Sequence, residues 1–423
     1  MKRFLAVVLA AVMLFSFASP AFAASIDKSA FVTDYPYIFV HGMGGWGTEN
    51  KFYDISPYWG GGLGIGSDTD LIKILNEQGI EAYAPSVGPL SSAWDRACEL
   101  YAQLTGTVVD YGEAHSKAHG HDRFGFSYEG KATMGKPWNL KDKINLVGHS
   151  FGGATVRLLV SLLSFGSEEE IAATGKDTSP LFTGGHDCVH SCSTLSAPHN
   201  GSPVANLLVD PQVTMLLISA VLNMIGMVFG NDFLVFSLQL SHFGMTPAQD
   251  EFRAWPSPVG VFNFYRYKDN CGYDMTLEGA AKLNEQIKVS PDTYYYSYTT
   301  VSTEEGLFGR QKPVSSLNPI FYISSAMISL TNGFNVDGIK MEGNWTVHDG
   351  IVPLASALYP DSNKDVALSY EKALAENRKI EKGKWYYFEP MYNMDHFDFC
   401  GTKDYPEGFE EFYFGLVENA NSR

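Results

Sequence analysis

Hydrophobic and polar positions along this chain switch repeatedly between the period of a strand and the period of a helix. Tyr37-Ile38-Phe39-Val40 is a short apolar β run. Asp68 to Gly79 carries its apolar residues at helical spacing and ends on its glycine, and Ile80 to Ala84 reads as a strand. Ser91 to Leu104 predicts an amphipathic helix, Lys143 to Val147 a buried strand, and Phe151 to Leu163 a helix that starts directly after it. The alternation resumes with a helix over Leu277 to Ile287 and strands over Thr293 to Thr300 and Trp385 to Tyr392. Such strand–turn–helix repetition predicts an α/β fold with a mainly parallel sheet covered on both faces. Two stretches fall outside the scheme: Thr107 to Gly125 is rich in Gly and His, and Pro203 to Gly244 is long and helical. From Met215 to Phe229 only Ser219 and Asn223 are clearly polar. Both stretches read as insertions that cap the sheet.

No internal repeat and no long linker divides the chain, so residues 24–423 are expected to form one domain of about 400 residues. The preceding 23 residues have a different character. Lys2 and Arg3 precede an apolar run that starts at Phe4 and breaks at Pro20, and Ala21-Phe22-Ala23 offers small residues for cleavage. The run is short for a bilayer span, so it reads as a signal peptide and the protein as secreted. Its removal leaves 28 basic residues against 47 acidic ones, net −19, which argues against nucleic-acid binding. Five cysteines are too few for a disulfide scaffold. Cys188 and Cys192, four strand steps of ~3.3 Å apart in CVHSC, stand ~13 Å apart and cannot be bridged. Buried free thiols are expected.

Candidate chemistry centres on Gly148-His149-Ser150-Phe151-Gly152, a G-x-S-x-G pentapeptide between an apolar strand and an apolar helix. That setting is the strand-to-helix elbow that presents a nucleophilic serine above the sheet of an α/β-hydrolase fold. His41-Gly42 follows the strand YIFV, where such folds build half of an oxyanion hole; the donors would be the backbone N–H groups of Met43 and Phe151. Base and acid should follow the serine in the order acid, then histidine. Of the two late histidines, His348 sits in WTVHDGIVP, whereas His396 follows the strand KWYYFEPM by a few residues. The reading is therefore Ser150 as nucleophile, His396 as base and Asp349 as the group orienting it. A plain Asp-Gly turn at Asp349 stays open, and Asp395 is a rival acid beside His396. A second constellation pairs Asp95, on SSAWDRACELYAQL, with His115 and His121 in the Gly-rich insertion; imidazoles with a carboxylate suit Zn²⁺, though a solvated His-containing loop stays open.

HGMGGWG, the block from Val87 to Gly125, GHSFGG, HDGIVP and the DHFDF segment together resemble the larger secreted lipases of Gram-positive bacteria, the Geobacillus and Staphylococcus group (family I.5). The clostridial members that also attack polyesters are similar too. The resemblance implies hydrolysis of triacylglycerols or related water-insoluble esters, a helical lid within 203–244, a structural zinc ion and a calcium ion. It agrees with Ser150, Asp349 and His396, and with Asp95, His115 and His121. By the same resemblance Asp398 and Asp404 would be calcium ligands. Two positions depart from the group. Phe151 stands where many members carry Gln or Met, and Ser241 stands where an acidic zinc ligand is expected. The fourth zinc position would then fall to His242, His119 or water, giving a weaker and more pH-dependent site. The expected function is a lipase working as a monomer on a lipid or ester substrate at a water–lipid interface. A carboxylesterase or polyester hydrolase, a catalytically dead binding module and a buried core helix in place of the lid are the alternatives.

Overall fold

A computed structural model describes residues 35–61, 69–207, 239, 241–243, 263, 266–402 and 408–421. The longest of the apolar β runs, together with shorter ones, assemble into a seven-stranded sheet. In chain order its strands are β1 (Tyr37–Val40), β2 (Ala82–Tyr83), β3 (Ile144–His149), β4 (Val189–Leu195), β5 (Tyr294–Tyr298), β6 (Leu368–Ser369) and β7 (Trp385–Tyr387). They lie in the order β6-β7-β5-β4-β3-β1-β2 and every pairing is parallel. Parallel strands are buried on both faces, and alternate side chains serve opposite sides. Ile38 and Val40 join one core cluster; Tyr37 and Phe39 join the other.

The first cluster is roofed by α1 (Ala93–Thr105) and α2 (Gly152–Phe165), and the second by the C-terminal helix α3 (Phe409–Asn421). Ser92 caps α1 by accepting the Asp95 N–H at 3.2 Å, and Gly106 ends it in the left-handed conformation. Yet Asp95, Arg96, Glu99 and Gln103 are all buried in this helix. Four polar side chains inside a core helix need partners: Glu99 accepts the Gly88 N–H and the Tyr111 hydroxyl, Gln103 donates to the Ser86 carbonyl, and Asp95 and Arg96 serve the two sites described below.

The predicted strand Trp385 to Tyr392 is shorter than expected. Pro390, which has no N–H for the ladder, follows β7, and Met391–Tyr392 pairs separately with Thr300–Val301. The insertion over 107–125 is an antiparallel pair, Val108–Asp110 with Phe124–Ser127, enclosing the helix α4 (Glu113–His119). Arg123 clamps it through two hydrogen bonds to Asp110, at 2.8 and 2.7 Å. The apolar run expected to form the lid lies outside the described residues, as does the N-terminal segment. Among the described residues no helix is long and apolar enough to cross a membrane. All five cysteines are buried and unbridged, the free thiols expected from the sequence.

Candidate active site

The elbow at Ser150 is forced by its neighbours. A Cβ on Gly152 would stand 2.2 Å from the Val40 carbonyl oxygen, and one on Gly148 would stand 2.5 Å from the Gly152 carbonyl carbon. Only glycines let β3 turn into α2 this tightly. Ser150 itself adopts φ +55°, a left-handed conformation costly for a residue with a side chain and held here by the Leu195 carbonyl, 2.8 Å from its N–H. On the facing side, a Cβ on Gly42 would come within 2.7 Å of Ser150 Cβ, so the turn after β1 lies directly against the serine. The N–H groups of Met43 and Phe151 donate to no protein group among the described residues.

The structure brings Ser150, His396 and Asp349 together. His396 Nε2 is 2.8 Å from Ser150 Oγ, and its Nδ1 is 2.7 Å from Asp349 Oδ2. The carboxylate can only accept, so Nδ1 carries the proton and Nε2 is free to take one. Asp349 Oδ1 accepts the N–H groups of Val352 at 2.8 Å and Ile351 at 3.1 Å. Burial works to raise the Asp349 pKa, but the His396 charge and these hydrogen bonds outweigh it and hold the carboxyl below its ordinary value. His348 takes no part: its Nδ1 faces the Gly350 N–H at 3.0 Å. Asp395 serves its own loop, accepting from the Asn318 and Phe397 N–H groups at 2.9 Å each. Burial, then the nearby Asp398, pushes it up to about 6.

Sequence reasoning missed what holds His396 from behind. His149 Nε2 is 2.9 Å from the His396 carbonyl and its Nδ1 is 2.6 Å from the Tyr58 hydroxyl, which accepts the Gly42 N–H at 3.0 Å. Burial, then the neighbouring His396, pushes His149 down to about 3, so it is neutral and donates from Nε2. One hydrogen-bonded line thus joins the turn beside Ser150 to the histidine loop. Tyr58 and His149 stand 91 residues apart, and no local pattern announces such a pair.

A group of side chains able to hold a metal ion forms beside α1. One donor atom each from Asp95, His115, His121 and Asp269 lies within 4.8 Å of the others. His115 Nε2 is 3.2 Å from Asp95 Oδ1 and 3.3 Å from Asp269 Oδ2, which is also 3.2 Å from His121 Nε2. None of these four atoms has a hydrogen-bond partner among the described residues. Buried donors converging with nothing between them fit a cation. Glu170 holds the site's helix in place, accepting the N–H groups of Ala114 at 3.0 Å and His115 at 2.7 Å. The fourth donor expected at His242, His119 or water is instead the Asp269 carboxylate. His242 Nε2 is occupied with Asp95 Oδ2 at 3.0 Å, and His119 Nδ1 stays 3.8 Å from Asp269. The missing acid at Ser241 is thus supplied from a turn further along the chain, where Asn270 caps Cys271–Asp274. The weak, carboxylate-poor site expected from Ser241 gives way to two carboxylates and two imidazoles. For calcium, Asp398 is buried, with its oxygens accepting the Asp395 N–H and the Thr402 hydroxyl at 2.7 Å each. Asp404 lies outside the described residues, so this pair has no described geometry.

The family described as "Lipase-like, C-terminal domain" matches residues 33–420. The chain belongs to that family. The lipase resemblance read from its motifs therefore holds across the domain. Among curated relatives of this lipase-like family, the chain is 33% identical over 405 residues to "Lipase" of Staphylococcus epidermidis, covering 93% of this chain and 55% of that protein. It is 32% identical over 395 residues to "Lipase 2" of Staphylococcus aureus, covering 91% and 54%. The chain thus spans about half the length of the curated relatives it matches. Among solved structures it is similar to EstA from Clostridium botulinum, with TM-score 0.74, 33% identity and 92% and 88% of the two chains covered. It is similar too to Staphylococcus hyicus lipase, with TM-score 0.72, 28% identity and 95% and 100% covered. The α/β-hydrolase architecture of these lipase-like neighbours is the one described above.

Proposed function

We propose that this lipase-like domain hydrolyses carboxylic esters through an acyl-enzyme on Ser150. The observation that carries the reading is the unbroken line of two short hydrogen bonds from Ser150 through His396 to Asp349, at 2.8 and 2.7 Å. In this reading His396 Nε2 takes the hydroxyl proton as Oγ attacks the ester carbonyl carbon. The carbonyl oxygen becomes an oxyanion facing the N–H groups of Met43 and Phe151. The imidazolium then protonates the departing alcohol, and water repeats the sequence on the acyl-enzyme. Asp349 holds the tautomer and the resulting charge.

The names of the relatives support water-insoluble esters such as triacylglycerols as the substrate class, and EstA keeps a broader esterase in view. The signal-like N-terminus supports action outside the cell. In the metal group, two carboxylates with two imidazoles suit Zn²⁺, which when bound would cross-link the insertion to α1 and supply no chemistry to the serine. The test is a rate series on p-nitrophenyl esters of increasing acyl length and on emulsified triglyceride, wild type beside Ser150→Ala. Activity rising with chain length and on the emulsion, and absent from Ser150→Ala, is expected. Preference for short soluble esters would favour the carboxylesterase reading; an active Ser150→Ala would end the acyl-enzyme reading.

A further inference from the structure

Directly beneath the turn that faces Ser150 lies a fully buried guanidinium. Arg96, on α1, is 0% exposed and hydrogen-bonds no carboxylate among the described residues, the buried Glu99 on the same helix acting on its charge only through space. Its contacts are main-chain oxygens and one hydroxyl. Nη2 donates to the His41 carbonyl; Nη1 donates to the Gly88 carbonyl at 3.0 Å and reaches the Gly42 carbonyl at 3.4 Å. Nε donates to Thr155 Oγ1 at 2.9 Å, and the guanidinium carbon sits 5.2 Å from the centre of the Phe151 ring. Burying a charge with no directly bonded counter-ion is expensive unless its donors are satisfied, as the main-chain oxygens and Thr155 satisfy them here.

The peptide it touches is informative. The Gly42 carbonyl and the Met43 N–H are two ends of one planar, conjugated group. Besides Arg96, the Gly42 oxygen accepts from His41 Nδ1 at 2.9 Å and from the Gly45 N–H at 3.2 Å. His41 Nε2 accepts the Val87 N–H at 3.1 Å, which puts the ring proton on Nδ1 and aims it at Gly42. Three donors, one of them cationic, draw electron density toward that oxygen. A hydrogen-bonded chain of this kind strengthens the donor at its far end. The same guanidinium packs on Phe151, whose N–H is the second oxyanion donor of the proposed mechanism, and Thr155 links it to the first turn of α2.

We propose that Arg96 is a positioning residue for the oxyanion hole: its guanidinium fixes the His41–Gly42–Met43 turn and polarises the Gly42–Met43 peptide, so that the Met43 N–H meets developing negative charge as a stronger and better-aimed donor. This rests on Ser150 being the nucleophile. A purely structural Arg96 would merely tie α1 to the sheet edge, and the two roles separate in the kinetics. Lysine keeps the charge but loses the fork that spans His41, Gly42 and Thr155. Thr155→Val, close in shape, keeps the guanidinium and removes its Nε partner, together with the 3.3 Å bond that the hydroxyl donates to the Phe151 carbonyl within the first turn of α2.

The test measures kcat and KM on p-nitrophenyl butyrate, and the inhibition constant of a trifluoromethyl ketone that adds to the serine as an oxyanion, in Arg96→Lys, Thr155→Val and Ser150→Ala. Melting temperatures report the fold. Loss of a whole oxyanion donor lowers rates by 10²–10³, so an indirect effect should be smaller. Arg96→Lys should lower kcat about ten-fold with KM little changed, weaken the ketone by a similar factor, and leave p-nitrophenol product binding alone. Thr155→Val should show the same pattern at a few-fold and decides the matter if Arg96→Lys does not fold. Folded variants with wild-type kcat and ketone affinity overturn the inference while Ser150→Ala is inactive. An active Ser150→Ala would instead bring down the reading beneath it.

Discussion

Between Ser150 and Asp349, His396 can take a proton on only one nitrogen, and Asp349 decides which. Asp349→Asn would let the ring flip its tautomer and should lower kcat by about 10⁴-fold with the fold intact. Ser150→Ala and His396→Ala should each remove several powers of ten, and the double variant should be little worse than either, as steady-state rates would reveal. Asp349 also carries a pH signature. Its folded pKa lies below its unfolded one, so its stabilisation is complete above the unfolded value of about 3.9 and disappears as pH falls through the folded value. Wild type should therefore lose melting temperature toward low pH more steeply than Asp349→Asn; parallel curves would refute this. Ser150, His396 and Asp349 were legible because strand, turn and chain order constrain them. Asp269 was not. It sits in a short turn without periodicity, and only the need for one more acidic donor could have pointed to it. Tyr58 and His149 were out of reach for the same reason, since tertiary proximity alone gives them a role.

The elements around the site depend on a few unusual contacts. α4 lacks a side-chain cap of its own at Gly112, and its first N–H groups are satisfied by Glu170 from another helix. Glu170→Ala should destabilise the domain by about 1–2 kcal/mol, the scale of a lost helix cap, and should weaken metal retention as well. Calorimetry with and without added zinc would show both effects; a variant that melts and retains metal like wild type would exclude them. At the elbow, Gly152→Ala would drive a methyl group to 2.2 Å from the Val40 carbonyl oxygen. A loss of more than about 2 kcal/mol in denaturant unfolding is expected, with activity falling further than stability because Ser150 is displaced. Helices and central strands were readable from periodicity, since they exceed a full repeat. β2, read from the sequence as Ile80 to Ala84, is trimmed to two residues, whereas β6, also two residues long, owes its place to pairing with β7, which no local pattern encodes.

Across the whole molecule, the metal group joins segments that are far apart in sequence: α1, the 107–125 insertion and the turn at Asp269. Elemental analysis of the purified protein should find about one zinc per chain, and a chelator should lower the melting temperature before it lowers kcat, because metal binding to the folded state adds directly to stability. Protein free of zinc, or a His115→Ala/His121→Ala variant with unaltered melting, would refute the site. The buried, unbridged cysteines make such events observable region by region. Cys192 lies in the middle of the sheet, Cys400 beside the loop that carries His396, and Cys271 two residues from Asp269. Each thiol is shielded until its own surroundings open, so alkylation followed by mass spectrometry converts the chain into a set of internal clocks. Stripping the metal should start the clock at Cys271 long before the one at Cys192.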